Sequence, residues 1–214
     1  MRRILAAGAL ICLATPASAQ TTFTADLTNS QETAVVVPTT LTGDPRPMSF
    51  GTGLFVLNEA QTALTFTIDV FNIDITGTQT ADINDNLTAA HIHAGPTAVP
   101  GSNAGVVFGF FGTPFNNTNP NDGTVTAFAS GVGGTFTGTW NAPEGQNTTL
   151  AAQLSNLLSG HSYVNFHTVQ FAGGEIRGAL VPVPEPATWG MMLLGFGAIG
   201  AAIRRKRRML AFQA

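Results

Sequence analysis

All four histidines of the 214-residue chain fall in two short passages, His91-Ile92-His93 and His161-Ser162-Tyr163-Val164-Asn165-Phe166-His167. On a β-strand alternate side chains share a face. His91 and His93 therefore point together, while Ile92 points away. In the second passage His161, Tyr163, Asn165 and His167 share one face, and Val164 and Phe166 take the other. If Ile92, Val164 and Phe166 bury together, the imidazoles line the opposite, outer face. His-x-His with His167 as a third imidazole is a donor set for Zn²⁺ or Cu²⁺, and Glu175 or Asn165 could complete the shell. The plainer alternative is a polar cluster in which the imidazoles hydrogen-bond to Tyr163, Asn165 and the Glu175 carboxylate without any ion. Arg177, two residues after Glu175, would then simply form an ion pair with it. Spacing suggests the metal, but it cannot show that the two strands are neighbours, so the plainer alternative is preferred. The expectation is thus no resident cofactor, with Zn or Cu on His91, His93, His167 and Glu175 as the competing reading.

Other chemistry is thin. The chain has no Gly-x-Ser-x-Gly elbow, no phosphate-binding glycine loop and no cysteine nucleophile, and no catalytic residue is expected. Asp69, Asp74, Asp82 and Asp85 lack an Asp-x-Asp-x-Asp calcium pattern and read as solvated turns. Charge excludes further classes. Between Gln20 and Val183 only Arg46 and Arg177 are basic, against eleven acids, a net −9. A domain so acidic is a poor partner for nucleic acid or anionic lipid.

The elements that must carry these residues are short strands. Only 10% of residues are charged, and 24 glycines and 12 prolines punctuate apolar runs rich in Thr. The patterning predicts strands over 23–27, 53–57, 64–71, 89–94, 106–111, 124–129, 135–140, 163–169 and 175–181. One stretch has the helical period instead: Leu150, Ala151, Leu154, Leu157 and Leu158, opened by a cap within 147–149 and closed by Gly160. Many short strands with one helix predict an antiparallel β-sandwich. Thirteen phenylalanines between Gln20 and Val183 supply much of its core.

The two ends read as addresses. Arg2 and Arg3, an apolar run over 4–13 and the small-x-small site Ala17-Ser18-Ala19 predict a cleaved signal peptide over 1–19. Its Cys12 is the chain's only cysteine, so the mature protein enters an oxidising space without disulfides. At the other end Pro184-Glu185-Pro186 precedes an apolar stretch over 187–203 and the cluster Arg204-Arg205-Lys206-Arg207-Arg208. Seventeen residues span roughly 26 Å as a helix, a marginal membrane crossing, with the basic cluster as its stop-transfer signal. In order and spacing these three parts resemble the PEP-CTERM sorting signal of Gram-negative bacteria. That resemblance implies recognition by exosortase, a membrane protease-transpeptidase, transient anchoring in the inner membrane, and cleavage near residues 184–186. It also implies a producer of extracellular polysaccharide.

The domain itself, over 20–182, resembles the CHRD domain. The resemblance rests on Ala90-His91-Ile92-His93-Ala94-Gly95-Pro96, on the 160–168 passage, and on Gly174-Glu175-Ile176-Arg177-Gly178. Phe23-Thr24-Ala25-Asp26-Leu27 and Gln31-Glu32 support it; the Asn/Gly-rich insertion over 112–123 departs from it. The family implies an immunoglobulin-like β-sandwich without enzymatic activity. A more distant likeness exists to copper/zinc superoxide dismutase, which also places His-x-His on such a barrel, but no bridging histidine or disulfide accompanies it here. Two readings follow. The first is a non-enzymatic structural or adhesive protein of the envelope or extracellular matrix (biofilm), contacting polysaccharide or other matrix proteins. The second is a metal-binding protein or redox enzyme built on the histidines.

Overall fold

The computed structural model describes residues 20–184 and 186–211. The expected signal peptide, with Ala17 and Ala19, and Glu185 of the Pro-Glu-Pro motif lie outside the described residues. Ten strands form: β1 (Thr21–Thr28), β2 (Phe50–Leu57), β3 (Ala63–Phe71), β4 (Leu87–Ala94), β5 (Val106–Phe111), β6 (Thr124–Ala127), β7 (Gly133–Asn141), β8 (Ser162–Thr168), β9 (Ile176–Ala179) and β10 (Val181–Val183). Helix α1 (Leu150–Leu158) sits between β7 and β8, and helix α2 (Pro186–Ala211) follows β10. Every strand expected from the pattern forms. The last one splits at Leu180 into β9 and β10, and Pro182, which cannot donate to a ladder, sits in the short outer piece. Thr149 caps α1, its hydroxyl accepting from the Ala152 N–H at 3.3 Å. Gly160 takes a positive φ of 74° just past the helix, as the stop signal requires.

The sandwich expectation is corrected in one respect. The strands form a single antiparallel sheet in the order β5-β4-β8-β9-β1-β2-β3-β7-β6, with β10 also on β1, and not two separate sheets. Two halves are joined where β1 bridges β9 through Thr28↔Arg177 and pairs fully with β2. The sheet curls so that its far ends face each other across one core. Phe66 on β3 lies 5.0 Å from Phe110 on β5, and Phe136 on β7 lies 5.2 Å from Phe166 on β8, ring centre to ring centre. Trp140 stacks on Phe108 at 5.1 Å and donates its indole N–H to the Glu144 carbonyl.

Burial follows the two-residue period on β1, β2, β3 and β7: Phe23, Ala25 and Leu27 point in, while Thr24 and Asp26 point out. β8 departs from it, being buried at all seven positions, and β4 is buried from Ala89 to Ala94. One face of this pair meets the core. The loops before and after β5, the segment after β1 and the β8–β9 connection cover the other, so the face carrying the histidines is roofed and not open to solvent.

The acidic turn after β3 is not solvated either. Asp74 is fully buried and accepts five backbone and side-chain hydrogen bonds, from the N–H groups of Thr76, Gly77, Gln79 and Thr80 and from the Thr76 hydroxyl. Burial raises its pKa, but these bonds outweigh it and hold the carboxyl below its ordinary value. Its backbone also grips the start of β4: Asp74 N–H donates to Asp85 and Leu87 N–H donates to Asp74. This turn therefore sets where the first histidine strand begins.

α2 also differs from expectation. The helix does not end at Ile203 but continues through the basic cluster to Ala211. Among the described residues no helix is long and apolar enough to cross a membrane. Gly190, Gly195, Gly197 and Gly200 dilute an apolar run already short of the roughly 20 residues a span needs. The expected transmembrane anchor, with Arg204, Arg205, Lys206, Arg207 and Arg208 as its stop, is thus not supported.

Asp74→Asn replaces one acceptor oxygen by a donor that faces N–H groups. It should cost about 2–3 kcal/mol of folding stability in urea denaturation; a loss under half a kcal/mol would show that the cage contributes little.

Candidate metal centre

β4 and β8 are hydrogen-bonded neighbours, which is what spacing alone leaves open. Their register contains an irregularity: Leu87 pairs with Thr168, yet Ala89 pairs with His167, so Thr88 is bulged out. Beyond the bulge, odd residues of β4 face odd residues of β8. His91 lies opposite Asn165, and His93 opposite Tyr163. Without that extra residue the β4 histidines would sit on the face opposite His167. The small side chain of Ala89 stands across from His167. On the other edge of β4, β5 shifts register twice, at Ala90/His91 and Ile92/His93. There Gly109 lies under the His91 ring, and an added Cβ would sit 1.8 Å from the Pro114 carbonyl oxygen and 3.1 Å from His91 Cδ2. Only glycine admits the strand, the Pro114 loop and the imidazole together.

The result is a compact trio. His91 and His167 lie 5.1 Å apart ring to ring, His91 and His93 5.9 Å, and His93 and His167 6.3 Å. One ligand nitrogen from each ring falls within 4.8 Å of the others. Each ring is held from behind by a carbonyl of a different loop. His91 Nε2 donates to Thr113 at 3.1 Å, His93 Nδ1 to Ala104 at 2.9 Å, and His167 Nδ1 to Ala172 at 3.0 Å. A carbonyl only accepts, so the bonded nitrogen carries the proton and the other nitrogen keeps its lone pair. Those remaining nitrogens, His91 Nδ1, His93 Nε2 and His167 Nε2, are buried without any hydrogen-bond partner. This is the arrangement by which outer carbonyls orient metal-binding imidazoles.

Electrostatics keep the rings neutral. Burial lowers the pKa of His91 to about 4, helped by His167 and opposed by the Thr113 bond. Burial likewise lowers His93 to about 4, the Ala104 bond opposing it. His167 is lowered too, again chiefly by burial. Neutral imidazole is the metal-binding form.

Glu175 does not join them. It is fully buried elsewhere, ion-paired with Arg46 at 3.1 Å and accepting from the hydroxyls of Thr168, at 2.6 Å, and Ser49. The expected Glu175–Arg177 pair is likewise replaced. Arg177 pairs with Glu32 at 3.0 Å and donates to the Ser102 carbonyl and to Asn103 Oδ1. β9 starts at Ile176, so Glu175 precedes the strand and escapes its parity. The partners expected in the polar-cluster alternative differ too: the trio's imidazoles bond to the carbonyls of Thr113, Ala104 and Ala172, and among the described residues none of them bonds to Tyr163, Asn165 or Glu175. His161 precedes β8 and stands apart, engaging Asn156 and Gly95 through its backbone. Asn165 lies against Gly174, where an added Cβ would be 2.6 Å from both its amide atoms and from Glu32 Oε1.

Two contacts escaped the sequence. Tyr163 stacks flat on His93, 4.7 Å away and 6° from parallel, and Arg177 covers Tyr163 at 4.2 Å. The Tyr163 hydroxyl accepts from the Ala104 N–H, whose own carbonyl fixes His93. Burial pushes the Glu32 carboxyl up to about 7, against the pull of Arg177. The only available signal was Glu32 itself, quoted in Gln31-Glu32 but without a partner.

The model of the CHRD domain matches residues 23–180, and that of the PEP-CTERM protein-sorting motif matches residues 182–208. Neither the curated proteins nor the solved structures contain a significant match.

Metal-free protein should lose stability as the pH falls from about 6.5 to about 4. An unfolded histidine binds its proton near 6.5 and the folded His91 and His93 only near 4, so acid in this window favours unfolding, while above 6.5 the histidine contribution is constant. Thermal melts at pH 7, 5.5 and 4.5 test this, and the double variant His91→Ala/His93→Ala should show a shallower slope; equal slopes would contradict it.

Proposed function

This chain belongs to the CHRD family, and we propose that its domain binds one Zn²⁺ or Cu²⁺ ion on His91, His93 and His167. The sorting motif that follows marks an exosortase-targeted extracellular protein. The observation that carries the metal reading is a trio of imidazoles that can each bring a ligand nitrogen within 4.8 Å of the others, with one nitrogen of each ring buried and matched by no donor. Each unsatisfied buried acceptor costs about 1–3 kcal/mol, and one cation satisfies all three at once. His91 offers Nδ1 and the other two offer Nε2, a neutral all-imidazole set suited to Zn or Cu.

The role we assign is that of a metal-holding domain of the cell surface or matrix, structural or adhesive in effect and without catalytic residues of its own. Acidity supports a metal-collecting surface. Both basic side chains of residues 20–183 are buried in ion pairs with Glu175 and Glu32, so the exposed charge of the domain is entirely negative and draws cations. The outer face of β2 and β3 presents Phe50, Thr52, Leu54, Thr65 and Thr67, exposed residues available for polysaccharide or protein contacts.

Elemental analysis of dialysed protein should find close to one Zn or Cu per chain. His91→Ala/His93→Ala should abolish that content, and Glu175→Gln should leave it intact. Protein that stays metal-free after exposure to both ions, with an unchanged melting temperature, would overturn the reading. For sorting, intact-mass measurement of surface material from the native host should place the new C-terminus near residues 184–186; a terminus at Ala214 would refute processing.

A further inference from the structure

We infer that the metal centre holds a small exogenous anion in its fourth position. This rests on the metal-binding reading above and adds the ligand class that the site would take. Among the described residues, the trio of His91, His93 and His167 has no fourth His, Cys, Asp or Glu. Two carboxylates on the segments that cover this face are committed elsewhere, Glu175 to Arg46 and Glu32 to Arg177. Asn165 packs against Gly174 with its Oδ1 buried and without a hydrogen-bond partner, so that oxygen is the protein group that competes with an outside ligand for the position. Three protein ligands with one position left over is the pattern of open zinc sites, as opposed to closed structural ones.

Charge says what fills that position. Three neutral imidazoles leave a divalent ion its whole double positive charge. The nearest ionic side chain stacked on the trio's surroundings is also a cation, Arg177 over Tyr163 over His93. A buried charge without compensation is costly, and among the described residues no carboxylate joins the trio to supply it. A small monodentate anion, of the hydroxide or azide class, offsets the charge and completes four-coordination in one step. The roof is nearly but not fully closed: His91, His93 and His167 keep 5, 8 and 9% exposure, whereas Ile92, Val164 and Phe166 on the core face keep none. The ligand is therefore small, since the roof leaves the imidazoles nearly covered.

The test uses the purified chain loaded with Co²⁺, whose visible bands report coordination, and sodium azide as probe. The expected result is a band shift that saturates at one azide per bound cobalt. Asn165→Ala should leave the azide-free cobalt spectrum unchanged. Cobalt bound one to one with a spectrum indifferent to azide would overturn the anion site while leaving the metal reading standing. A spectrum altered by Asn165→Ala would overturn it too, by making Asn165 the fourth ligand. Failure of cobalt to bind would overturn both.

Discussion

Three lone pairs aimed at one another cannot satisfy each other, and that constraint organises this domain. His91, His93 and His167 present only acceptors to the space between them, because three loop carbonyls have already claimed their N–H groups. Protonating one ring would create a donor, but burial holds His91 and His93 near pKa 4 and keeps that solution out of reach at neutral pH. The fold thus fixes the tautomers and the ring directions by itself. Pre-orientation of this kind lowers the ordering cost of binding, since the loops after β4, β5 and β8 are each tied to a ring.

The rest of the sheet serves that face. β4 and β8 are interior strands, and the bulge at Thr88 turns two separate His passages into one surface. Ion pairs then tie down the roof. Arg177 reaches from β9 to Glu32, Ser102 and Asn103, joining the segment after β1 to the β4–β5 loop whose Ala104 holds His93. Arg46 and Glu175 fasten the opposite end, where Thr168 closes β8. Residues 20–184 contain no cysteine, and buried charge fixes their long loops where disulfides could otherwise do so.

Much of this was legible in the residues. Strand parity placed His91, His93 and His167 on one face and Ile92, Val164 and Phe166 on the other, because a two-residue period is a property of the strand itself. Parity could not decide adjacency, nor that the outer face has a roof. It also misassigned Glu175, since strand parity ends where the strand ends and β9 begins one residue later. The carbonyls of Thr113, Ala104 and Ala172 carry no signature at all: every residue has a carbonyl, and only the loop path brings these three to the rings. The single curled sheet escaped for a similar reason, because one bridging pair, Thr28↔Arg177, joins halves that local patterning cannot relate.

Register also relates the sorting motif to the histidine trio. Val183, the last residue of β10, pairs with Thr22 at the start of β1, whereas Arg177 pairs with Thr28 at its end. Arg177 faces Asn165, and Asn165 faces His91, so His91 lies on the cross-strand row of Thr28. Six residues of β1 separate the two rows, about 20 Å. Gln20 and Pro184, which flank β1 and β10, thus lie at one end of this row of pairs and His91 at the other. Cleavage at residues 184–186, as proposed, would fall beyond the last ladder pair and remove no strand. Processing would therefore release a domain whose sheet, roof and imidazole trio are already complete.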